Sequence, residues 1–374
     1  MKPHLPRLLT AALLASFTVV PAFSSELLDD YETQVEVWDS SFLSDYTSNS
    51  TTDYVAFLLG LDIAVPSDIK LNGGNLLFTT YEEVPPVSLE FTGSNSSALT
   101  NQSSLVFDTL SGLSFASYKE RALYTSGNMV IQNVNDGVED SENPDVLFTG
   151  NSASSSYTYG GAIYADSVSI TGNGDVNFIE NYSINASDSY GESHGGAIYA
   201  RSGDVSNSGN RDVTFSGNSC VLALNRYDHE AAPFVASGGA ICAYGGGVTI
   251  SGNRNVSFTG NSVSVSVRAD GYLHGGAIYA YRGGVSITGN ETVCFEKNYE
   301  RENSTYRLRS IYVDGGSLNL SAKTGGHITF YDSVYGGMTA LNADYTDADG
   351  VTQKAKGTII FSGQHTKDHL DAIL

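Results

Sequence analysis

Carboxylates, imidazoles and thiols are the groups with which this 374-residue chain could do chemistry. The densest acidic run is NDGVEDSENPD, residues 135–145. A polysaccharide-cleaving site needs paired carboxylates or Ca²⁺ ligands converging from separate elements. One run of acids in a polar stretch offers neither and reads as solvated surface. The stretch DYTDADG, residues 344–350, has the composition of a calcium loop. Its register fails, because Tyr345 and Lys356 stand where the first and twelfth ligands belong. His194 and His274 hold the same place in two copies of one phrase, but Ser237 holds it in the copy between them. A metal site would require adjacent ligands, so these His are expected to be corner residues. Cys220, Cys242 and Cys294 show no CxxC spacing, which removes zinc and redox motifs. No GxSxG elbow or P-loop occurs. The chain is therefore read as a non-enzyme without cofactor or metal.

What such residues do depends on the elements that carry them, and the chain announces those by repetition. The phrase HGGAIYA stands at residues 194–200 and again at 274–280, with YGGAIYA at 159–165 and SGGAICA at 237–243. After each Gly-Gly-Ala comes a VxIxGN-like run, starting at Val168, Val205, Val248 and Val285. Ten residues after each Val stands a Phe that opens an FxxN: Phe178, Phe215, Phe258 and Phe295. An earlier FxxN begins at Phe148. The Val-to-Val period is 37, 43 and 37 residues, and all the slack lies between FxxN and the next Gly-Gly. A fixed block with one elastic segment is a solenoid signature.

The fixed block alternates apolar and polar residues, as half-buried strands do. Gly-Asn at the strand ends supplies the left-handed backbone of sharp corners. Three short strands and three corners make one coil, so the fold class is all-β: a right-handed parallel β-helix with degenerate capping coils. Phe148, Phe178, Phe215, Phe258 and Phe295 are expected as an inward stack. Asn151, Asn181, Asn218, Asn261 and Asn298 are expected as an amide ladder, each satisfied by its neighbours. In the Gly-Gly-Ala phrase the pairs Gly160-Gly161, Gly195-Gly196, Gly238-Gly239 and Gly275-Gly276 turn a corner. Ala162, Ala197, Ala240 and Ala277 follow them, and Ile163, Ile198, Ile241 and Ile278 fill the core. Alternation then sends Tyr164, Tyr199 and Tyr279 outward, with Cys242 breaking the column. The opposite polarity remains open at this level.

Residues 1–24 read as a secretory signal peptide: Lys2 and Arg7 at the head, a largely apolar run over 8–20, and Ala22-Phe23-Ser24 as a cleavage site. The run is shorter than the roughly 20 residues that span a bilayer. Removing it leaves 17 basic against 41 acidic residues, a formal charge of −24. That surface repels phosphate backbones, which speaks against nucleic-acid binding. In an exported protein three Cys leave one thiol without an internal partner. Residues 25–120 are read as an N-terminal cap with early coils, 121–333 as the repeat β-helix, and 334–374 as a C-terminal passenger segment.

The interleaved GGA(I/L/V) and FxxN phrases behind a signal peptide resemble the polymorphic outer membrane proteins of the chlamydiae. The resemblance covers roughly residues 148–333 and extends to GTIIFSG at 357–363. It implies an autotransporter passenger, located on the bacterial surface or secreted, that acts as an adhesin toward a host-cell protein or glycan. Both motifs are implicated in adhesion there, so their Gly, Ala, Ile, Phe and Asn residues are candidate adhesion positions. A barrel needs at least roughly 8 strands of about 9–11 residues, and 11 residues follow Gly363. The expectation is a truncated or split frame, or a passenger anchored by a separate outer-membrane translocator. The elastic segments, 152–159, 182–194, 219–237, 262–274 and 299–306, are expected to project as binding loops. The longest contains Arg226, Tyr227, His229 and Phe234 as candidate contacts. Two other classes stay open: a structural envelope protein crosslinked through Cys220 or Cys294, and a polysaccharide-acting β-helix enzyme.

Overall fold

A computed structural model describes residues 28, 31, 33–39, 54–65, 69–70, 74–81, 84–93, 97–135, 137, 144–155, 157–186, 191–223, 235–265, 272–347 and 350–362. They form a parallel β-helix. One ladder of ten strands runs from Ile63–Val65 to Thr358–Phe361 through the Phe strands of the repeat. A second, larger sheet carries the Ile and Val strands. No helix among the described residues is long and apolar enough to cross a membrane.

Register follows the sequence repeat, like upon like. Val168 pairs with Val205, Val205 with Val248, and Val248 with Val285. Phe148, Phe178, Phe215, Phe258 and Phe295 lie in one file, as do Ile163, Ile198, Ile241 and Ile278. All nine of these side chains are buried. Ring centroids in the Phe file are 4.7–4.9 Å apart, the spacing that parallel strands impose. The file continues to Phe91 and Phe115 on one side and to Phe330 and Phe361 on the other.

The Asn ladder at FxxN is present. Each Nδ2 donates to the next Asn Oδ1 at 2.9–3.0 Å and to a Phe carbonyl of the coil before at 2.8–3.0 Å. All bonds point one way, so the last rung must only accept. Asp332 takes that place, receiving Asn298 N, Asn298 Nδ2 and Ser310 Oγ. A second ladder, Asn173, Asn210, Asn253 and Asn290, closes the Val-strand corner. The Gly-Asn pairs there divide the work: Gly172, Gly209, Gly252 and Gly289 carry the left-handed backbone, and the Asn carries the ladder.

Two expectations are corrected. The coil holds five strands, not three, because the elastic segments are not simple loops. Each leaves the body as one strand and returns as another. The outgoing strands are Ser152–Ser154, Tyr182–Asn185, Ser219–Leu222, Ser262–Val265 and Tyr299–Glu302. The returning ones are Tyr157–Tyr159, Glu192–His194, Val235–Ser237 and Tyr272–His274, stacked as a four-stranded parallel sheet. The two layers enclose their own core of Cys220, Leu222, Ala236, Val263, Val265 and Leu273, forming a fin along the helix. Hydroxyls fill the same space one coil back, where Ser183 Oγ and Ser193 Oγ lie 2.7 Å apart.

The second correction concerns the Tyr column. It points away from the Ile core, as alternation requires, but solvent does not reach most of it. Tyr199 and Tyr279 are 5 % and 4 % exposed and Cys242 is enclosed. The returning fin strand lies against them, burying side chains that a bare coil would present to water.

Candidate interaction face

The place where the fin rejoins the body gathers aromatic rings from two columns. Fin strands end in Tyr159, His194, Ser237 and His274, in register. The histidines thus end strands rather than turn corners. Beside them run Tyr164, Tyr199, Cys242, Tyr279 and Tyr312, also in register. Tyr159 stacks on His194 at 5.6 Å and meets Tyr199 at 4.8 Å. His274 lies 5.3 Å from Tyr279 and 4.3 Å from Tyr312. The rings extend to Tyr124, 4.9 Å from Tyr164, and to Tyr335, 4.4 Å from Tyr312. From Tyr124 to Tyr335 the face crosses six coil steps, about 29 Å at the strand spacing.

The middle coil departs from this pattern. There Ser237 stands for His and Cys242 for Tyr, so both columns lack a ring. Tyr244 closes the gap from outside, 6.0 Å from His194 and 6.4 Å from Tyr199. It stacks on Tyr281 at 4.9 Å and leaves 38 % of its surface exposed. Three buried polar atoms of the returning fin strands have no hydrogen-bond partner: His194 Nδ1, Ser237 Oγ and His274 Nδ1.

Guanidinium groups mark the face. Arg121 sits over Tyr124 and Tyr164, Arg282 over Tyr281, and Arg309 over Tyr312 and Tyr335, all at 5.4–5.6 Å. Such contacts are worth about 0.5–2 kcal/mol each. Arg309 is held by Glu300, whose carboxylate also accepts the Gly275 N–H. Burial pushes Glu300 up, against the pull of Arg309.

Burial also sets the charge states of the rings. It raises the Tyr159, Tyr199 and Tyr279 hydroxyls and takes Tyr312 to about 12, so all stay neutral. It lowers His274 to about 4, so that ring is neutral at pH 7. Glu192 is held below the usual carboxylate range, first by its hydrogen bond with His194. No three His, Cys, Asp or Glu side chains among the described residues group as a metal site needs.

The repeated phrases take up a different position, inside the wall. The first Gly of each pair has φ of 64–67°, and a Cβ there would meet the carbonyl three residues on at 2.0–2.2 Å. The second Gly faces the neighbouring coil: a Cβ on Gly239 would lie 1.9 Å from Gly276 O and 2.5 Å from Ser262 N. The Ala, Ile, Phe and Asn of both phrases are buried. Arg226, Tyr227, His229 and Phe234 lie outside the described residues. Cys220 is enclosed and donates to Ser193 O at 2.6 Å, whereas Cys294 is half-buried; no two of the three thiols are bonded.

Sequence reasoning missed Tyr124, Tyr244, Tyr281 and Tyr335 as members of this face. The signal for two of them was present, in a Tyr immediately after GGAICA and GGAIYA.

The Chlamydia polymorphic membrane protein (Chlamydia_PMP) repeat matches residues 145–166, 212–244 and 255–281. Each match runs from the Phe strand across the fin to the Tyr column, so the matched unit includes the elastic arms. No curated protein and no solved structure matches the chain.

Proposed function

For this chain of the chlamydial polymorphic membrane protein type, we propose the role of an exported surface passenger that adheres to host cells. The observation that carries the reading is the division of labour in the coil. The Gly-Gly-Ala-Ile and FxxN residues are enclosed by their own neighbours, while exposed or part-exposed rings (Tyr124, Tyr164, Tyr244, Tyr281, Tyr312 and Tyr335) and guanidinium groups collect on one outer face over the buried Tyr199 and Tyr279. Tyr and Arg are the side chains that dominate contact energies between proteins and partners. A net charge of −22 disfavours polyanionic partners. Export and surface location rest on the family and on the leader-like residues 1–24, and a separate outer-membrane translocator is a partner this reading accommodates.

The test is attachment. Beads coated with folded residues 25–374 are counted on epithelial cells, beside beads bearing an unrelated acidic β-helix. Saturable attachment, competed by soluble protein, is expected; attachment no greater than the control rejects adhesion. A second protein lacking residues 226–234 reports on that segment separately. The half-buried Cys294 favours one other reading, a crosslinked envelope component, which predicts a ladder on non-reducing gels that collapses with thiol.

A further inference from the structure

We propose that Arg121 forms the base of a carboxylate-binding site at the N-terminal root of the fin. The ligand is a singly charged carboxylate, carried by a small free acid or by an acidic side chain of a peptide. The site does not depend on the adhesive reading.

The cleft exists because the fin begins here. One coil crosses from its Phe strand, Gly112–Ala116, to its Tyr strand, Leu123–Thr125, by a short turn over residues 117–122. The next coil instead sends out the first fin strand, Ser152–Ser154, which bonds to that turn through Tyr118 O and Arg121 N. Beside this junction opens a cleft of about 350 Å³, whose walls include Ser97, Thr100, Glu120, Arg121, Tyr124 and Ser154. Arg121 holds a φ of 77°, a left-handed backbone that glycine would adopt without strain.

The Arg121 guanidinium is mostly buried and has no counter-ion. It lies 5.5 Å from the Tyr124 centroid and 5.4 Å from that of Tyr164, rings that are 4.9 Å apart, so it sits astride their seam. Its Nε is enclosed without an acceptor, and among the described residues no hydrogen bond or ion pair reaches the side chain. The terminal nitrogens are not enclosed, and they are the ones that face the cleft. Other buried arginines differ. Arg211, with a side chain 13 % exposed, holds Asp145 and Asp175 at 3.1 and 2.7 Å. Arg309, at 14 %, holds Glu300 at 2.9 Å. Burial pulls Arg121 below the ordinary guanidinium value, yet an arginine keeps its proton. A desolvated charge without a partner is costly, and a ligand carboxylate would relieve it.

Charge and geometry select the ligand class. A guanidinium meets a carboxylate through two parallel N–H···O bonds. Glu120 lines the same cleft, and the chain carries a net charge of −22. A phosphate or sulfate dianion therefore meets more repulsion than a monoanion does. The hydroxyls of Thr100 and Ser154 add donors to the walls.

Ligand-observed NMR on the folded full chain tests the site. The probes are benzoate as the free acid and an acetylated, amidated tripeptide with a central glutamate; benzamide and inorganic phosphate are the controls. Saturable binding of one or both acids is expected, and the tighter binder identifies the source of the carboxylate. Benzamide, with the same shape and no charge, should bind roughly tenfold more weakly, and phosphate should not compete. Arg121→Gln should weaken acid binding roughly tenfold with circular dichroism unchanged. Glu120→Gln alters an exposed side chain and should tighten binding about threefold by removing a like charge; it decides the matter if Arg121→Gln fails to fold. Binding of neither acid overturns the proposal. So do benzamide binding as tight as benzoate, competition by phosphate at equal concentration, or affinity indifferent to a folded Arg121→Gln or to Glu120→Gln.

Discussion

Changing Gly239→Ala puts one methyl group where the structure has no room for it. The new Cβ would lie 1.9 Å from Gly276 O, 2.5 Å from Ser262 N and 2.7 Å from Ser262 C. All three atoms are backbone, so no side chain can swing aside. Ordinary contact needs about 3.4 Å or more, so neighbouring coils must part locally by about 1.5 Å. The bonds holding them there are Gly239 N to Gly275 O at 3.1 Å and Ala240 N to Ala277 O at 2.9 Å. Losing two bonds costs about 1–3 kcal/mol, and overpacking adds about 1–3 kcal/mol. The expected loss is therefore about 2–6 kcal/mol. Gly260→Ala is the contrasting case: unlike Gly239 it has a left-handed φ, 66°, and nothing lies within 4 Å of its Cβ. Its loss should be the left-handed term alone, about 1–2 kcal/mol. Urea unfolding followed by circular dichroism compares the two. Equal midpoints for Gly239→Ala and wild type would refute the steric argument. If such a stable variant also lost attachment, the Gly-Gly-Ala phrase would be a contact and not a structural unit.

Other perturbations test separate parts of the coil. Phe258→Ala removes a ring stacked at 4.7 Å on both Phe215 and Phe295; it should cost about 3–5 kcal/mol, and an unchanged melting temperature would reject the core assignment. Asn207 stands between Ile170 and Ile250 on the Val strands, buried, with Nδ2 unpartnered although Oδ1 accepts from Asn210 Nδ2 at 2.9 Å. Asn207→Ile should stabilise the chain by about 1–3 kcal/mol, and a lower midpoint would contradict this. His274 has its folded value lowered to about 4 from 6.5, so the native state binds fewer protons between these values. Its contribution is complete above pH 6.5 and is lost as pH falls toward 4. It is worth about 2 kcal/mol after allowing for solvent at a partly buried ring. The midpoint of His274→Asn should then depend less on pH across that window; identical slopes would reject it.

The Val-to-Phe step of ten residues made the body legible, because a rigid coil fixes that distance. Phe148 to Phe295 and the FxxN ladder followed from it. The second ladder did not, because Asn after Gly has a ready explanation in turn chemistry, and Asn173 or Asn253 looks the same either way. The fin was hidden by its length variation and by strands as plain as Ser219–Leu222, three to four residues long with small side chains. Once the fin was missed, the burial of Tyr199 and Tyr279 could not be foreseen, since period-two alternation gives the direction of a side chain but not what lies beyond it. The interrupted coil at Ser237 and Cys242 was visible as two odd letters, but its meaning required knowing that the two columns adjoin.

Competition by a short peptide tests the central claim most directly. A synthetic peptide spanning residues 237–244 carries the Gly-Gly-Ala-Ile phrase without the coil. If the phrase is part of the wall and the assembled face does the binding, folded protein in solution will compete bead attachment and the peptide will not, even in large molar excess. Saturable competition by the unfolded peptide would contradict the account and make the phrase itself the adhesive element.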